Sequence, residues 1–239
     1  MDVNRAIRFV FDDKQWISKV LIAVVLSLFS WLIIPAFIIA GYMVKIVRQV
    51  MHGQDTPLPE WSDWGDLLRD GFFVVAAEFL WMLPFIVLIL IVSLATGGLG
   101  SMSNGGDALA AATTGAGLLL ACLVLLMVIA LLFVLPALII QYAIKDDIGA
   151  LFRFSEVFDL IRNHMSDILL ALLVTVAVTF VVGLVGGILG IIPCLGWIAA
   201  FIIGLAAGPY VQFVSSHLYG QIGAKVLGNK AGGYSPPAA

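Results

Sequence analysis

The sequence predicts an all-α, polytopic bundle of membrane-spanning helices, and three observations carry that prediction. Charged residues make up 11 % of the 239-residue chain and hydrophobic residues 62 %, a charged share less than half that of an ordinary soluble domain. Four apolar stretches, 71–96, 118–140, 168–192 and 195–216, are each long enough to cross a hydrocarbon core of about 30 Å as a helix. Lys and Arg gather on alternate connections: Lys45, Arg48 and Arg69 on one, Lys145, Arg153 and Arg162 on the next, then Lys225 and Lys230 at the tail. The intervening connections "ATGGLGSMSNGGDALAAATTGAG" and "GIIPCLG" carry no base. The positive-inside rule therefore expects the basic segments and the C-terminus in the cytoplasm and the Gly-rich and Pro-Cys loops outside.

The first apolar region is the ambiguous element. Residues 16–44 would make one helix roughly 43 Å long at 1.5 Å per residue, too long for an upright crossing and too short for two. A single tilted span gives five crossings in all, with Lys19 reaching back to the interface. The alternative is a re-entrant pair of half-helices broken near Ser30 to Pro35, acceptable where protein buries the irregular backbone. Arg5, Arg8, Lys14 and Lys19 outnumber Asp2, Asp12 and Asp13, which favours a cytoplasmic start and hence the pair. Residues 1–15 read as an amphipathic segment in the cytoplasm or at the membrane interface, without the apolar core and small-residue cleavage site of a signal peptide. The transmembrane domain is expected over 16–220 and a flexible tail over 221–239, where "KVLGNKAGGYSPPAA" is too small and turn-rich to pack.

An internal echo suggests a parallel duplication. Pro35, Ala36, Ile38 and Ile39 recur 101 residues later as Pro136, Ala137, Ile139 and Ile140; Asp66, Leu67 and Arg69 recur 93 residues later as Asp159, Leu160 and Arg162. Chance matching of Leu, Ile and Ala explains the apolar half as readily as descent does, whereas the polar agreement is harder to obtain by chance. On that reading each polar phrase is a short amphipathic helix on the cytoplasmic surface. Leu67, Leu68, Leu160 and Ile161 would then face lipid.

Between the two halves of the first repeat lies "RQVMHGQDTPLPEWSDWGDLLRDG". Gly53 is placed to end the preceding helix, and Pro57 and Pro59 make a stiff extended link, because proline biases its predecessor away from helix. Trp61 and Trp64 are expected at the lipid interface. The link reads as a rigid joint or as a candidate loop for docking a partner. Together with "FVFDDKQWISKVLI" and "GYMVKIVRQVMHG", this stretch resembles the bacterial and archaeal membrane-protein family catalogued as domain of unknown function 4013. The signature covers residues 8–71, and the helix plan extends the likeness to about 220. The resemblance implies a prokaryotic cell-membrane location and a helical architecture; it supplies no catalytic residue, substrate or partner.

Candidate chemical groups are few. Glu78, within a span, is a site hypothesis by default, and Lys45 or Arg48 at the end of the preceding helix could neutralise it. His52, His164 and His217 have no metal-ligand spacing, and Cys122 and Cys194 read as small packing residues. Small-xxx-small steps at Gly183/Gly187, Gly186/Gly190 and Gly204/Gly208 are expected to permit close helix packing, within the chain or between chains. Pro84, Pro136 and Pro209 are expected to kink their spans. Neither a paired acid and base, a nucleophile with its base, nor a phosphate loop is present in the sequence, so no enzyme, cofactor or metal is expected. With no basic stripe, nucleic acid is not an expected partner either. Membrane lipid is, together with a protein partner or a second copy of the chain. A structural or accessory subunit is the first reading and a small-molecule or lipid transporter the second, the polar residues Glu78, Gln141 and Gln212 making a thin path for transport.

Overall fold

A computed structural model describes residues 1–54, 58–95 and 115–228. The structure is all-α: α1 Val3–Asp12, α2 Trp16–Leu28, α3 Ile34–Met51, α4 Trp64–Ala95, α5 Gly115–Lys145, α6 Phe154–Asn163, α7 Met165–Gly190 and α8 Leu195–Val226, with single 3-10 turns at Ser30–Leu32 and Ile148–Phe152. Among the described residues, five of these helices are long and apolar enough to cross a membrane: α3, α4, α5, α7 and α8. Pro57, the Gly-rich loop and the tail from residue 229 lie outside the described residues.

The single tilted helix over 16–44 is not what forms. Helix α2, with 13 residues, is only about 20 Å long and stops at Leu28. The chain then turns through Ser30–Leu32 and restarts at Ile34 with Pro35 in the first turn of α3, where a proline costs no hydrogen bond. Ile33, at the joint, has φ 70° and ψ −52°, a backbone conformation that a β-branched residue adopts only under strain. The first turn of α2 and the middle of α3 both bond to residues 58–61, through Lys19 and Tyr42. The two helices are therefore antiparallel arms of a hairpin whose tip is the Ser30–Ile33 turn. Both open ends of the hairpin sit at the same end of the bundle as the charged residues.

Gly53 ends α3 as its sequence position predicts. It takes φ 66°, its N–H donates to the Val50 carbonyl, and the Gln54 N–H donates to the Gln49 carbonyl, which is the Schellman pattern for closing a helix.

The bundle's core is centred on α3, α5 and α8. Tyr42, Ile46, Val47, Leu138, Ile140, Phe213, Leu218 and Ile222 are all fully buried. α3 lies against α4 on one side and α8 on the other, and α7 packs along α8. The closest crossing is between α3 and α4. A side chain added at Gly41 would overlap the backbone carbonyl of Leu67, and one added at Gly71 would overlap that of Phe37. These two glycines let the backbones meet.

The glycines singled out in the sequence do something else. A Cβ added at Gly183, Gly186, Gly187, Gly190, Gly204 or Gly208 would meet nothing within 4 Å, so none of them mediates close packing within the chain. The reason is rotational: α7 and α8 pack through other faces, such as the Thr175–Ser215 contact, and turn their glycines outward.

The repeated phrases come to different surroundings. Asp66, Leu67 and Arg69 lie in the opening turns of the continuous helix α4, whereas Asp159, Leu160 and Arg162 occupy α6, a separate helix broken from α7 at His164. The structure lends the duplication no support. The expected lipid contact is also reversed for three of the four apolar residues. Leu67, Leu160 and Ile161 are 2 %, 6 % and 8 % exposed and join the protein core, and only Leu68 points outward. The apolar sides of these segments are covered by α3, α5 and the neighbouring turn, which removes the need for lipid.

A candidate functional site at the charged end

The described polar residues concentrate at one end of the bundle, in two buried knots. The first is built on Lys19. One turn into α2, its side chain is buried, and its ammonium donates to Asp13 Oδ2 at 2.8 Å and to the Leu58 carbonyl at 2.9 Å, and pairs with Glu60 Oε1 at 2.7 Å. Three acceptors match the three N–H groups of a lysine, so the buried charge is fully satisfied. The Trp61 indole N–H donates back to the Lys19 carbonyl at 3.0 Å. The Tyr42 hydroxyl, from α3, donates to the Pro59 carbonyl at 2.8 Å, and the Tyr42 and Trp61 rings stack with centroids 3.8 Å apart and 7° between planes. Residues 58–61 thus form a strap across the open end of the hairpin, with Leu58 plugged into the core.

This geometry explains the residue types in the sequence signature. Asp13 and Lys19 come from the N-terminal patch, Tyr42 from "GY", and Pro59, Glu60 and Trp61 from the proline-rich link; the fold brings them into one cluster. Trp61 is half-buried and packs against Tyr42 and the hairpin. Trp64 is exposed, with its ring 6.0 Å from that of Trp61. Lys45 approaches the Glu60 carbonyl and Asp63 only at 3.5 Å, a loose contact at the rim.

The second knot is built on Asp70, in the second turn of α4 and 4 % exposed. It accepts from Arg48 of α3 at 2.6 Å, from the Tyr142 hydroxyl of α5 at 2.9 Å and from its neighbour Arg69 at 3.1 and 3.2 Å. Arg48 uses its other terminal nitrogen on Asp146 Oδ1 at 2.6 Å and lies 5.3 Å from the centroid of the Tyr142 ring. A planar guanidinium with two divergent N–H faces is suited to such a bridge, and a lysine is not. One carboxylate and one guanidinium thereby tie α3, α4 and α5 together.

Smaller ties complete this end. Lys225 of α8 pairs with Asp167 of α7 at 2.6 Å. Gln221 of α8 accepts from the Asp2 N–H and donates to the Asp2 carbonyl, fastening α1. Gln141 donates to Glu156 at 2.6 Å. Desolvation alone would raise the Glu156 carboxyl; the hydrogen bond from Arg153 and the nearby charges of Lys145 and Arg153 outweigh it and hold the carboxyl below its ordinary value. The stability from this contact is present above the ordinary carboxylate range and is lost as pH falls through the depressed pKa.

The predicted pairing of Glu78 with Lys45 or Arg48 does not occur. Eight residues separate Asp70 from Glu78, about 12 Å along the helix, and Arg48 is consumed by the nearer carboxylate. Among the described residues Glu78 has no ion pair, and the Tyr219 phenol is within electrostatic reach of it. The histidines are dispersed among local contacts: His52 with the Arg48 carbonyl, His164 near Asp167, and His217 with Gln221 and the Phe9 ring. No cluster of metal-ligating side chains occurs among the described residues.

Reasoning from sequence missed Asp70, Tyr142, Gly41 and Gly71. The signal available was adjacency, since "RDG" at 69–71 and "GY" at 41–42 each set a small residue beside a polar one.

Five long apolar helices with a capped polar end define a multi-pass membrane protein. The family model described as protein of unknown function DUF4013 matches residues 28–191, more than half of the chain, and the protein belongs to that family. The match begins after the Asp13 and Lys19 patch and includes Tyr42, the strap and Asp70. No curated protein and no solved structure matches the chain.

Proposed function

We propose that this protein is a non-enzymatic structural or accessory subunit of a prokaryotic cell membrane. In this reading α4, α5, α7 and α8 cross the bilayer, the α2–α3 hairpin is re-entrant, and the charged end with both termini faces the cytoplasm. One observation carries the functional part: Lys19 and Asp70, the lysine and aspartate buried among the described residues, and Arg48, which bridges Asp70 to Asp146, are each engaged by internal partners. Groups spent on internal ties build a rigid platform; a transport path or catalytic centre would need some of them facing a substrate. The exposed Asp63, Trp64 and Asp66 at the rim of the strap are the surface such a platform offers to another protein, and positive cytoplasmic ends support the orientation.

The test is native mass spectrometry of the protein extracted in mild detergent from its own membrane at endogenous expression. A protein partner in fixed ratio is the expected result. A bare monomer or homodimer carrying a solute, reproducibly without a partner, would overturn the accessory reading in favour of a small-molecule or lipid transporter.

A further inference from the structure

Helix α6 joins two long apolar helices, α5 and α7, and its sides face different surroundings. Val157, Leu160 and Ile161 are buried in the core. Ser155, Asp159 and Asn163, which follow one another at four-residue steps along one line of the helix, are exposed and polar. The adjacent line holds Phe154, Phe158 and Arg162. The two phenylalanines are 55 % and 56 % exposed. Arg162 is exposed as well, and among the described residues it has no acidic partner. Arg153, just ahead of the helix, is by contrast spent on Asp147 and Glu156.

The level of this line in the bundle decides what covers it. The apolar core runs along α4 as far as Ala77 and along α7 as far as Ala171. Just beyond, Phe79 and Leu80 on α4 and Leu173 and Val176 on α7 are exposed. On helices long and apolar enough to cross a membrane, such side chains meet acyl chains. Trp81, one turn past Ala77, holds α6 at this boundary. Its ring centroid lies 4.6 Å from that of Phe154 and 5.9 Å from that of Phe158, and its indole N–H donates to the Leu151 carbonyl at 3.0 Å. The exposed phenylalanines therefore sit where the crossing helices leave the protein core, with the polar line of α6 next to them.

We infer that α6 lies in the membrane interface and forms a site for an anionic phospholipid, with Phe154 and Phe158 between acyl chains and Arg162 on the headgroup phosphate. A helix with one core side, one apolar side and one polar side suits that position. A guanidinium suits the phosphate because its parallel N–H groups reach two oxygens at once. A zwitterionic headgroup brings its own cation to that phosphate, so a lipid with net negative charge is preferred. The lipid contact expected of Leu160 and Ile161 is thus made by the neighbouring side of the same helix. The inference requires that α4, α5 and α7 cross the membrane and is independent of the accessory-subunit reading.

The experiment places the full chain in nanodiscs of equal parts phosphatidylglycerol and phosphatidylcholine and reads the lipids retained by native mass spectrometry. The native protein is expected to retain at least about three-fold more phosphatidylglycerol than phosphatidylcholine. Arg162→Gln is expected to lower that ratio at least about two-fold, and Arg8→Gln, which removes another exposed arginine, to leave it unchanged. In a background without Cys122 and Cys194, a fluorophore on Phe158→Cys is expected to be quenched by a lipid-borne nitroxide at least about three-fold more than one on Asp159→Cys, with the order reversed for aqueous iodide. Equal retention of the two lipids by the native protein, or a ratio unmoved by Arg162→Gln, would overturn the inference. So would a label at 158 shielded from both quenchers, which would mean that protein covers this side, or labels at 158 and 159 that respond alike. The lipid comparison on the native protein requires no variant, so the test stays decisive if a substitution prevents folding.

Discussion

Replacing Asp70 by alanine is expected to lower the stability of the folded protein by about 3 kcal/mol, the low end of the range for removing one partner of a buried ion pair. The low end applies because Arg48 is a quarter exposed and keeps Asp146. The loss arises from what is left behind: the Tyr142 hydroxyl and one face of Arg48 would remain beside an apolar methyl group. Asp70→Asn should cost less, since an amide oxygen still accepts from Tyr142. Arg69→Ala should cost about 0–1 kcal/mol, because Arg69 is half exposed and Asp70 keeps Arg48 and Tyr142 when it is lost. Unfolding curves of the three variants in mixed detergent micelles, followed by circular dichroism, give the order directly. An Arg69 effect as large as that of Asp70 would mean that the knot does not hold α3, α4 and α5 together as described.

Gly41→Val and Gly71→Val are expected to be at least as damaging, about 3 kcal/mol or more, or to prevent accumulation of folded protein. Overpacking against movable side chains typically costs 1–3 kcal/mol, but here the obstacle is backbone: the carbonyl of Leu67 at one glycine and that of Phe37 at the other. Neither carbonyl can rotate away without unwinding its helix. Gly183→Ala and Gly187→Ala provide the contrast. Their added methyl groups enter open space, and alanine favours helix over glycine by up to about 1 kcal/mol, so stability should hold or rise. Folded yield and thermal inactivation in detergent for the four variants check both halves. Damage from Gly183→Ala or Gly187→Ala with the protein monomeric would contradict the packing described.

These two predictions also mark where sequence reasoning stops. Apolar length and charge bunching made the helical membrane class legible, because both are properties of the chain alone. The Gly53 stop was legible too, since helix closure is a local event within five residues. The hairpin was half legible: the 29-residue length and the cationic N-terminus raised it, but only contacts from residues 58–61 to both Lys19 and Tyr42 select it over one tilted helix. The glycine stripes on α7 and α8 do not meet another helix of the same chain, because a small-xxx-small step specifies a smooth stripe and not which neighbour, in the chain or in a second copy, the stripe faces. Gly41 and Gly71 belong to different helices and have no spacing rule to betray them. The expected partners of Glu78, Lys45 or Arg48, fail for a similar reason. Arg48 pairs instead with Asp70, which lies about two turns nearer to it along α4.

The polar signature acquires a physical meaning in the strap. Lys19 is placed in a short helix that enters an apolar bundle, a costly position unless three acceptors surround it. Asp13, Glu60 and the Leu58 carbonyl provide them, and Tyr42 and Trp61 shield the arrangement on one side. The hairpin, the strap and the charged end therefore form one unit, and the account depends on both ends of the hairpin lying on the same side of the membrane.

That dependence is tested most directly by single-cysteine accessibility. In a background with Cys122 and Cys194 replaced by serine, Lys14→Cys precedes α2 and Gln54→Cys follows α3, both at exposed positions. A membrane-impermeant maleimide applied to sealed vesicles of known orientation is predicted to label both from the same side, the side that also labels Leu227→Cys after α8. Labelling of Lys14→Cys and Gln54→Cys from opposite sides would show that residues 16–51 cross the membrane, and would contradict the hairpin.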